Sequence, residues 1–263
     1  MKTRNGVVMA IVLVGGAAAA LGCGQNAVAS AGTGSGTGTG TGTGPSTSAD
    51  VPAVFRKFSS TVEVSVDGND IVLRSNGVPN HKSPYFARGD SRYEAYNGTN
   101  PQWASNGFTI QEQQVVIRIP RSPAKASSSS PTPLGPIGMA LNGVPLFNQY
   151  AGNGRPLTNE INSFDQYDGH PQQTGAYHYH AEPYYLTKTN GSDSLIGFLL
   201  DGFPVYGPVE NGKRLTNADL DELHGHFGAT ADYPNGIYHY HVTAEAPYIN
   251  GAGFYGTPGT ASR

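Results

Sequence analysis

The sequence predicts a mainly β fold: a single domain holding an internally duplicated unit of β-hairpin plus Tyr-His-Tyr-His strand, with short helical turns between. Three observations lead there. Gly, Pro, Asn and Tyr are abundant, and no long stretch shows the apolar period of an amphipathic helix. Short runs alternate apolar with other residues, as half-buried strands do. One pattern occurs twice in the second half of the chain, over about residues 135–187 and 194–250.

From the N-terminus, Lys2 and Arg4 precede an uncharged apolar run from Val7 to Leu21, then Leu21-Gly22-Cys23. That is the layout of a secretory signal, and the run is short for a membrane span. The one cysteine of the chain, Cys23, stands where a lipoprotein signal needs a thiol to acylate. The segment resembles a bacterial lipoprotein box, with Ala20 where Leu is more usual. The expectation is therefore a signal peptide over residues 1–23, lipidation at Cys23, and a cell-envelope protein facing the periplasm or exterior. Its partner on this reading is the membrane that holds the lipid anchor. An ordinary signal cleaved at an Ala-rich site up to about Ala31 is one alternative, and a retained membrane helix is another. Residues 24–48 include Gly32 to Gly44, where Gly alternates with Thr or Ser, and are expected to form a flexible tether. Residues 49–263 then make the domain. Loss of Lys2 and Arg4 leaves 14 basic residues against 19 acidic ones, a net charge near −5. No basic patch of the kind nucleic acid requires is present in the sequence.

In the domain, Thr61 to Val66 alternates, Asp67-Gly68 offers a turn, and Ile71-Val72-Leu73 follows, which predicts a hairpin. Val115 to Ile119 predicts a further strand, stopped by Pro120 and Pro123. Lys125 to Pro133 reads as a Ser/Pro-rich loop.

The repeat is the most informative feature. Ile137-Gly138-Met139-Ala140-Leu141-Asn142-Gly143-Val144-Pro145-Leu146-Phe147 matches Ile196-Gly197-Phe198-Leu199-Leu200-Asp201-Gly202-Phe203-Pro204-Val205-Tyr206. An apolar run enters Asn-Gly or Asp-Gly and leaves through another, which predicts a tight primed hairpin turn. Leu157-Thr158-Asn159 then matches Leu215-Thr216-Asn217, each expected to open a helical turn capped by Thr or Asn. Asp168-Gly169-His170 and His224-Gly225-His226 come next, then Tyr177-His178-Tyr179-His180 and Tyr238-His239-Tyr240-His241.

Six of the eight histidines thus fall at matched places: His170, His178 and His180, and His226, His239 and His241. Residues two apart on a strand point to one face, about 6.5–7 Å apart along the chain. Their imidazoles can converge on one metal ion while the tyrosines face the other way, and the Gly-His upstream can add a third ligand. Three nitrogen ligands without thiolate suit zinc or copper, with a fourth position open to water or substrate. Asp165, Asp168, Asp201, Asp221 and Glu222 are candidates to orient an imidazole, ligate or act as a base. One shared site and two separate sites are both compatible with the sequence, as is a strand whose histidines only hydrogen-bond. His81 follows a turn-rich segment and is expected in a surface loop, and His224 replaces Asp168. Tyr93, Tyr96 and Trp103 read as core or as a pocket wall.

At these residues the chain resembles the YHYH-domain family of exported proteins. The matching stretches run from Ser75-Asn76-Gly77-Val78-Pro79-Asn80-His81 to Tyr255, with Gly135-Pro136-Ile137-Gly138, Asp165 to His170, Leu220 to His226 and both Tyr-His-Tyr-His strands as the specific pieces. The resemblance implies the fold and export. Members of the family often carry a cysteine in the loop aligned with Tyr167 and Leu223; this chain has none there. The leading functional expectation is a membrane-anchored lipoprotein that binds copper or zinc through duplicated histidine sites. A metal-dependent extracytoplasmic hydrolase is the second, and a surface structural or adhesive module without metal is the third.

Overall fold

The computed structural model describes residues 50–251 and 253–263. Cys23, the expected signal peptide and the whole of the expected tether lie outside the described residues. In chain order the strands are β1 (Glu63–Asp67), β2 (Asp70–Ser75), β3 (Val115–Pro120), β4 (Lys125–Ser130), β5 (Pro136–Ala140), β6 (Pro145–Phe147), β7 (Tyr150–Ala151), β8 (Arg155–Pro156), β9 (Gly169–Pro171) and β10 (Tyr177–Tyr179). One short helix, α1 (Tyr184–Asn190), separates the two copies of the repeat. The second copy and the C-terminal segment add β11 (Leu195–Leu199), β12 (Pro204–Tyr206), β13 (Val209–Glu210), β14 (Lys213–Arg214), β15 (Gly225–Gly228), β16 (Ile237–His241), β17 (Phe254–Gly256) and β18 (Thr260–Ser262).

The predicted hairpin is β1–β2, joined to β3 and β18 in a four-stranded antiparallel sheet. The repeat builds the other large sheet, eight strands in the order β15-β16-β12-β11-β5-β6-β10-β9. Its order reads the same from either end once the copies are exchanged, so a pseudo-two-fold axis runs between β11 and β5. Leu141 N donates to Ile196 O and Leu200 N to Ile137 O, each at 2.7 Å, which are the same bond seen from the two copies. Gly138 and Gly197 sit where only hydrogen fits. A Cβ on Gly138 would lie 2.3 Å from the Phe198 carbonyl oxygen, and one on Gly197 would lie 2.2 Å from that of Met139. The matched glycines therefore let the two copies pair backbone to backbone.

The Asn-Gly and Asp-Gly turns are present with a different geometry from the one expected. Only the glycines, Gly143 and Gly202, have positive φ (85° and 82°). Gly143 N donates to Ala140 O and Ala140 N to Val144 O, so the loop holds three residues and closes on a left-handed glycine. The extra residue turns the Asn142 and Asp201 side chains inward, where both are buried. The helical turns also form. Asn217–Asp219 carries a capping box between Thr216 and Asp219, while Glu160–Ser163 follows Asn159 without a side-chain cap.

Lys125–Pro133, read as a loop, contains strand β4, which pairs with β17 through Phe254↔Ser130 and Gly256↔Lys125. Its residues are mostly exposed, so no apolar alternation marks it; the pairing comes from a partner distant in sequence. His81 is a second correction. It is 5% exposed rather than on the surface, ringed by Tyr167, Tyr177, Tyr179 and Tyr185. Its Nδ1–H donates to Lys82 O, and its Nε2 lies 3.0 Å from the Tyr179 hydroxyl. Burial pushes its pKa down to about 4.

Candidate metal centres

Alternation on β10 and β16 divides the Tyr-His-Tyr-His segments into two working faces. The tyrosine face is a set of clamps on four buried tyrosines. Tyr177 donates to Asp165 at 2.8 Å, Tyr238 to Asp221 at 2.9 Å, and Tyr240 to Asp201 at 2.7 Å. Tyr179 instead accepts from Asn142 Nδ2 at 3.1 Å and faces His81. This is where three of the five expected acidic residues go. Asp165 also accepts from the Ser83 hydroxyl and from Tyr167 N, and burial raises its pKa to about 6. Asp201 also accepts from Phe203 N and Gly256 N, and burial raises its pKa. Asp168 lines a cavity of about 550 Å³ with Tyr96, Tyr184 and Lys188, and burial raises its pKa to about 7. Glu222 is exposed. None of these five hydrogen-bonds to one of the six matched imidazoles among the described residues. Trp103 stacks on Tyr96 at 4.4 Å and, like Tyr93, packs against the core.

The histidine face gathers the six imidazoles into two groups of three. His170 lies on β9 opposite His178 on β10, and His226 lies on β15 opposite His239 on β16. His180 and His241 complete the groups from the ends of the Tyr-His segments. Five strand spacings of about 4.8 Å separate β10 from β16, so the groups are two centres rather than one.

A carboxylate joins each group, and neither is among the acids the sequence suggested. Glu160 Oε1 stands 3.3 Å from His170 Nε2 and 3.9 Å from His180 Nε2. Glu210 Oε2 stands 3.4 Å from His226 Nε2, and its Oε1 is 3.4 Å from His239 Nε2. In each set of four, one ligand-type atom per residue lies within 4.8 Å of all the others, an arrangement that could hold a metal ion. The His170 bond is the main reason the Glu160 carboxyl is held below its ordinary range.

Proton bookkeeping gives the first centre its character. His178 Nδ1 donates to Ala176 O at 3.1 Å, and His180 Nδ1 to Asn148 O at 2.6 Å. His170 Nδ1 donates at 2.7 Å to the Ser163 hydroxyl, which itself donates to Glu160 O. A neutral imidazole has one N–H, and in His178 and His180 it is used at Nδ1. Burial favours the neutral form, lowering His178 well below its ordinary value and His180 to about 4. The Nε2 atoms of His178 and His180 thus present lone pairs to each other at 3.0 Å, and His170 Nε2 stands 3.1 Å from that of His178.

The second centre repeats this in two of its three imidazoles, with His239 Nδ1 on Ile237 O and His241 Nδ1 on Gly207 O. His226 and His239 Nε2 are 3.1 Å apart, and His241 Nε2 is buried with no hydrogen-bond partner. Burial lowers the pKa of His239, and that of His241 to about 4. His224 lies outside the group. It holds a positive φ of 73° at the place of Asp168 (64°), and its Nε2 faces Asn217 and Thr243.

The repeat could not reveal the carboxylates because they come from different elements. Glu160 follows Leu157-Thr158-Asn159, and the matching residue after Leu215-Thr216-Asn217 is Ala218. Glu210 ends β13, and the matching residue at the end of β7 is Ala151. The six histidines stand at matched places in the two copies, but the carboxylate comes from a different element in each.

A family match to the YHYH protein covers residues 116–215 and 209–253, and the chain belongs to that family. No curated protein and no solved structure matches it.

Proposed function

We propose that this YHYH protein binds two transition-metal ions, one at each centre, through three imidazole Nε2 atoms and one glutamate. The observation that carries the reading is the convergence in each cluster of three imidazoles and a carboxylate, with Nδ1–H of His178, His180, His239 and His241 turned onto backbone carbonyls and their Nε2 atoms left facing inward. That arrangement is repulsive until a cation occupies the gap. Four ligand atoms about 2.05 Å from a zinc-sized ion at tetrahedral corners stand about 3.35 Å apart. The separations of 3.0–3.4 Å, with one of 3.9 Å, match that scale. The carboxylates add support, since two different elements, a helical turn and a short strand, bring the same group to the same place. Nitrogen-rich sets without thiolate favour zinc or copper. The N-terminal pattern around Cys23 supports placing the domain on a membrane surface in the cell envelope, where its work is to hold or hand over metal.

The test is elemental analysis of the domain after dialysis against zinc or copper. Two ions per chain are expected, falling to one in His170→Ala or His226→Ala and to none in the double variant. A wild-type chain that retains no metal would sink the reading. For the anchor, a chain carrying Cys23→Ser should lose incorporation of labelled palmitate and leave the membrane fraction.

A further inference from the structure

The cavity of about 550 Å³ bordered by Asp168 lies where three segments distant in sequence meet: residues 96–100, residues 164–168 ahead of β9, and helix α1. We infer that this cavity binds the sugar ring of a neutral saccharide, whose hydroxyls donate to Asp168 and accept from Lys188. The inference is independent of metal at either centre.

The walls are tied to one another. Gln166 Nε2 and Asn97 Nδ2 both donate to Glu94 Oε2, at 3.1 and 3.3 Å, which joins the first two segments. Asn100 N donates to the Tyr96 hydroxyl at 2.9 Å, and Asn100 Nδ2 to Asn162 Oδ1 at 3.1 Å. On α1, Tyr184 and Lys188 stand one turn apart on the same face. Lys188 Nζ is held over two rings, 5.9 Å from the centroids of Tyr167 and Tyr184.

The polar groups at this cavity are unspent among the described residues. The Asp168 carboxylate makes no hydrogen bond or ion pair, although its backbone holds a φ of 64°. Aspartate visits that conformation chiefly where its side chain bonds locally, and here it does not. At the matching place in the second copy, His224 has the same kind of backbone, is 2% exposed, and bonds through Nε2 to Asn217 and Thr243. There the side chain supports the turn; in the first copy it is left to the cavity. Lys188 Nζ likewise has no carboxylate partner, and the Tyr167 and Tyr184 hydroxyls have no hydrogen bond. Free donors and a free acceptor therefore border one space.

The ligand class follows by elimination. Asp165 also borders the cavity, but its oxygens are taken by Ser83, Tyr177 and Tyr167 N. One free carboxylate and one free ammonium balance, so neither sign of ion is selected. No imidazole or thiol among the described residues borders the cavity to hold a metal. A sugar hydroxyl both donates and accepts, as this set of groups requires. The C–H face of the ring packs on an aromatic side chain, and Tyr184, 43% exposed, offers one.

Trp103, the one tryptophan of the chain, stacks on Tyr96 at 4.4 Å and reports on the cavity. Its emission is followed in the chelator-treated full chain while glucose, galactose, mannose or N-acetylglucosamine is added. At least one of these should give a saturable change, with a Kd in the millimolar range, and glycine should give none. Lys188→Met, on the exposed face of α1, and Asp168→Gly, which suits a positive φ, should each weaken that sugar about tenfold. No saturable change with any of the sugars up to about 100 mM would overturn the inference. So would a response to glycine in place of sugar, or affinity unchanged in Lys188→Met or in Asp168→Gly. Metal content is read separately by elemental analysis, so failure here leaves the metal reading standing.

Discussion

The first and second copies of the repeat share what the backbone register dictates and differ in what was free to change. In both, a three-residue loop turns a polar side chain inward, a tyrosine meets it, and imidazoles converge on the opposite face of the same strand. In the second copy that inward group is Asp201, which takes bonds from Tyr240, Gly256 N and Phe203 N. In the first copy it is Asn142, and His81 arrives from another part of the chain to complete the Tyr179 contact. The comparison teaches that the tyrosine–histidine alternation is the conserved geometric device within the molecule, while the charge that supports it can be exchanged. Cover follows the same logic: the segment that brings His81 to the first copy also covers that copy's histidine cluster, with Asn106 Nδ2 donating to Pro171 O beside the buried His170.

The comparison can be broken most directly by removing metal. An ion held at 1,000 times its Kd stabilises the folded chain by about 4 kcal/mol. Urea unfolding with and without chelator should show that difference for each occupied centre, with His170→Ala and His226→Ala each retaining one share. Equal stability with and without chelator would end the claim that the centres are built around cations.

Next in size is the clamp on the tyrosine face. Asp201→Ala strands three donors and should cost about 3 kcal/mol in the metal-free chain, whereas Asn142→Ala should cost about 1 kcal/mol. Similar losses would show that the two clamps are energetically equivalent despite their different charge.

The third prediction concerns pH. Burial lowers the His81 pKa from 6.5 to about 4. Below pH 6.5 the unfolded chain takes up a proton that the folded chain refuses, so this stability is present above 6.5 and lost as pH falls through 4. Between pH 7 and 4.5 the loss due to His81 should be about 2.5 kcal/mol. His81→Gln should lose less over that range than wild type by that amount, measured in urea at both pH values.

The smallest expected effect separates the two carboxylates. Glu160→Gln and Glu210→Gln should each weaken one ion about tenfold, or 1.4 kcal/mol, and leave the other unchanged. Competition with a chromogenic chelator resolves the two. An effect of Glu160→Gln on the second centre would contradict their separation across the sheet.

Much of this was legible before any coordinates. The hairpins, the duplicated unit and the grouping of six histidines are local or periodic. Asn-Gly needs a glycine at positive φ, a strand alternates its faces every residue, and two copies repeat their spacing whatever surrounds them. Those constraints act along the chain, so the sequence by itself determined them. Glu160, Glu210, His81 and β4 were decided only in three dimensions. Glu160 enters from a helical turn and Glu210 from a two-residue strand, positions whose counterparts in the other copy are Ala218 and Ala151. His81 reaches Tyr179 across 98 residues of sequence. The choice between one shared centre and two was likewise made by strand order, because pairing β11 with β5 puts β10 and β16 on opposite sides of the sheet. Proximity of that kind is a property of packing and register between distant segments, and no residue pattern along one segment carries it.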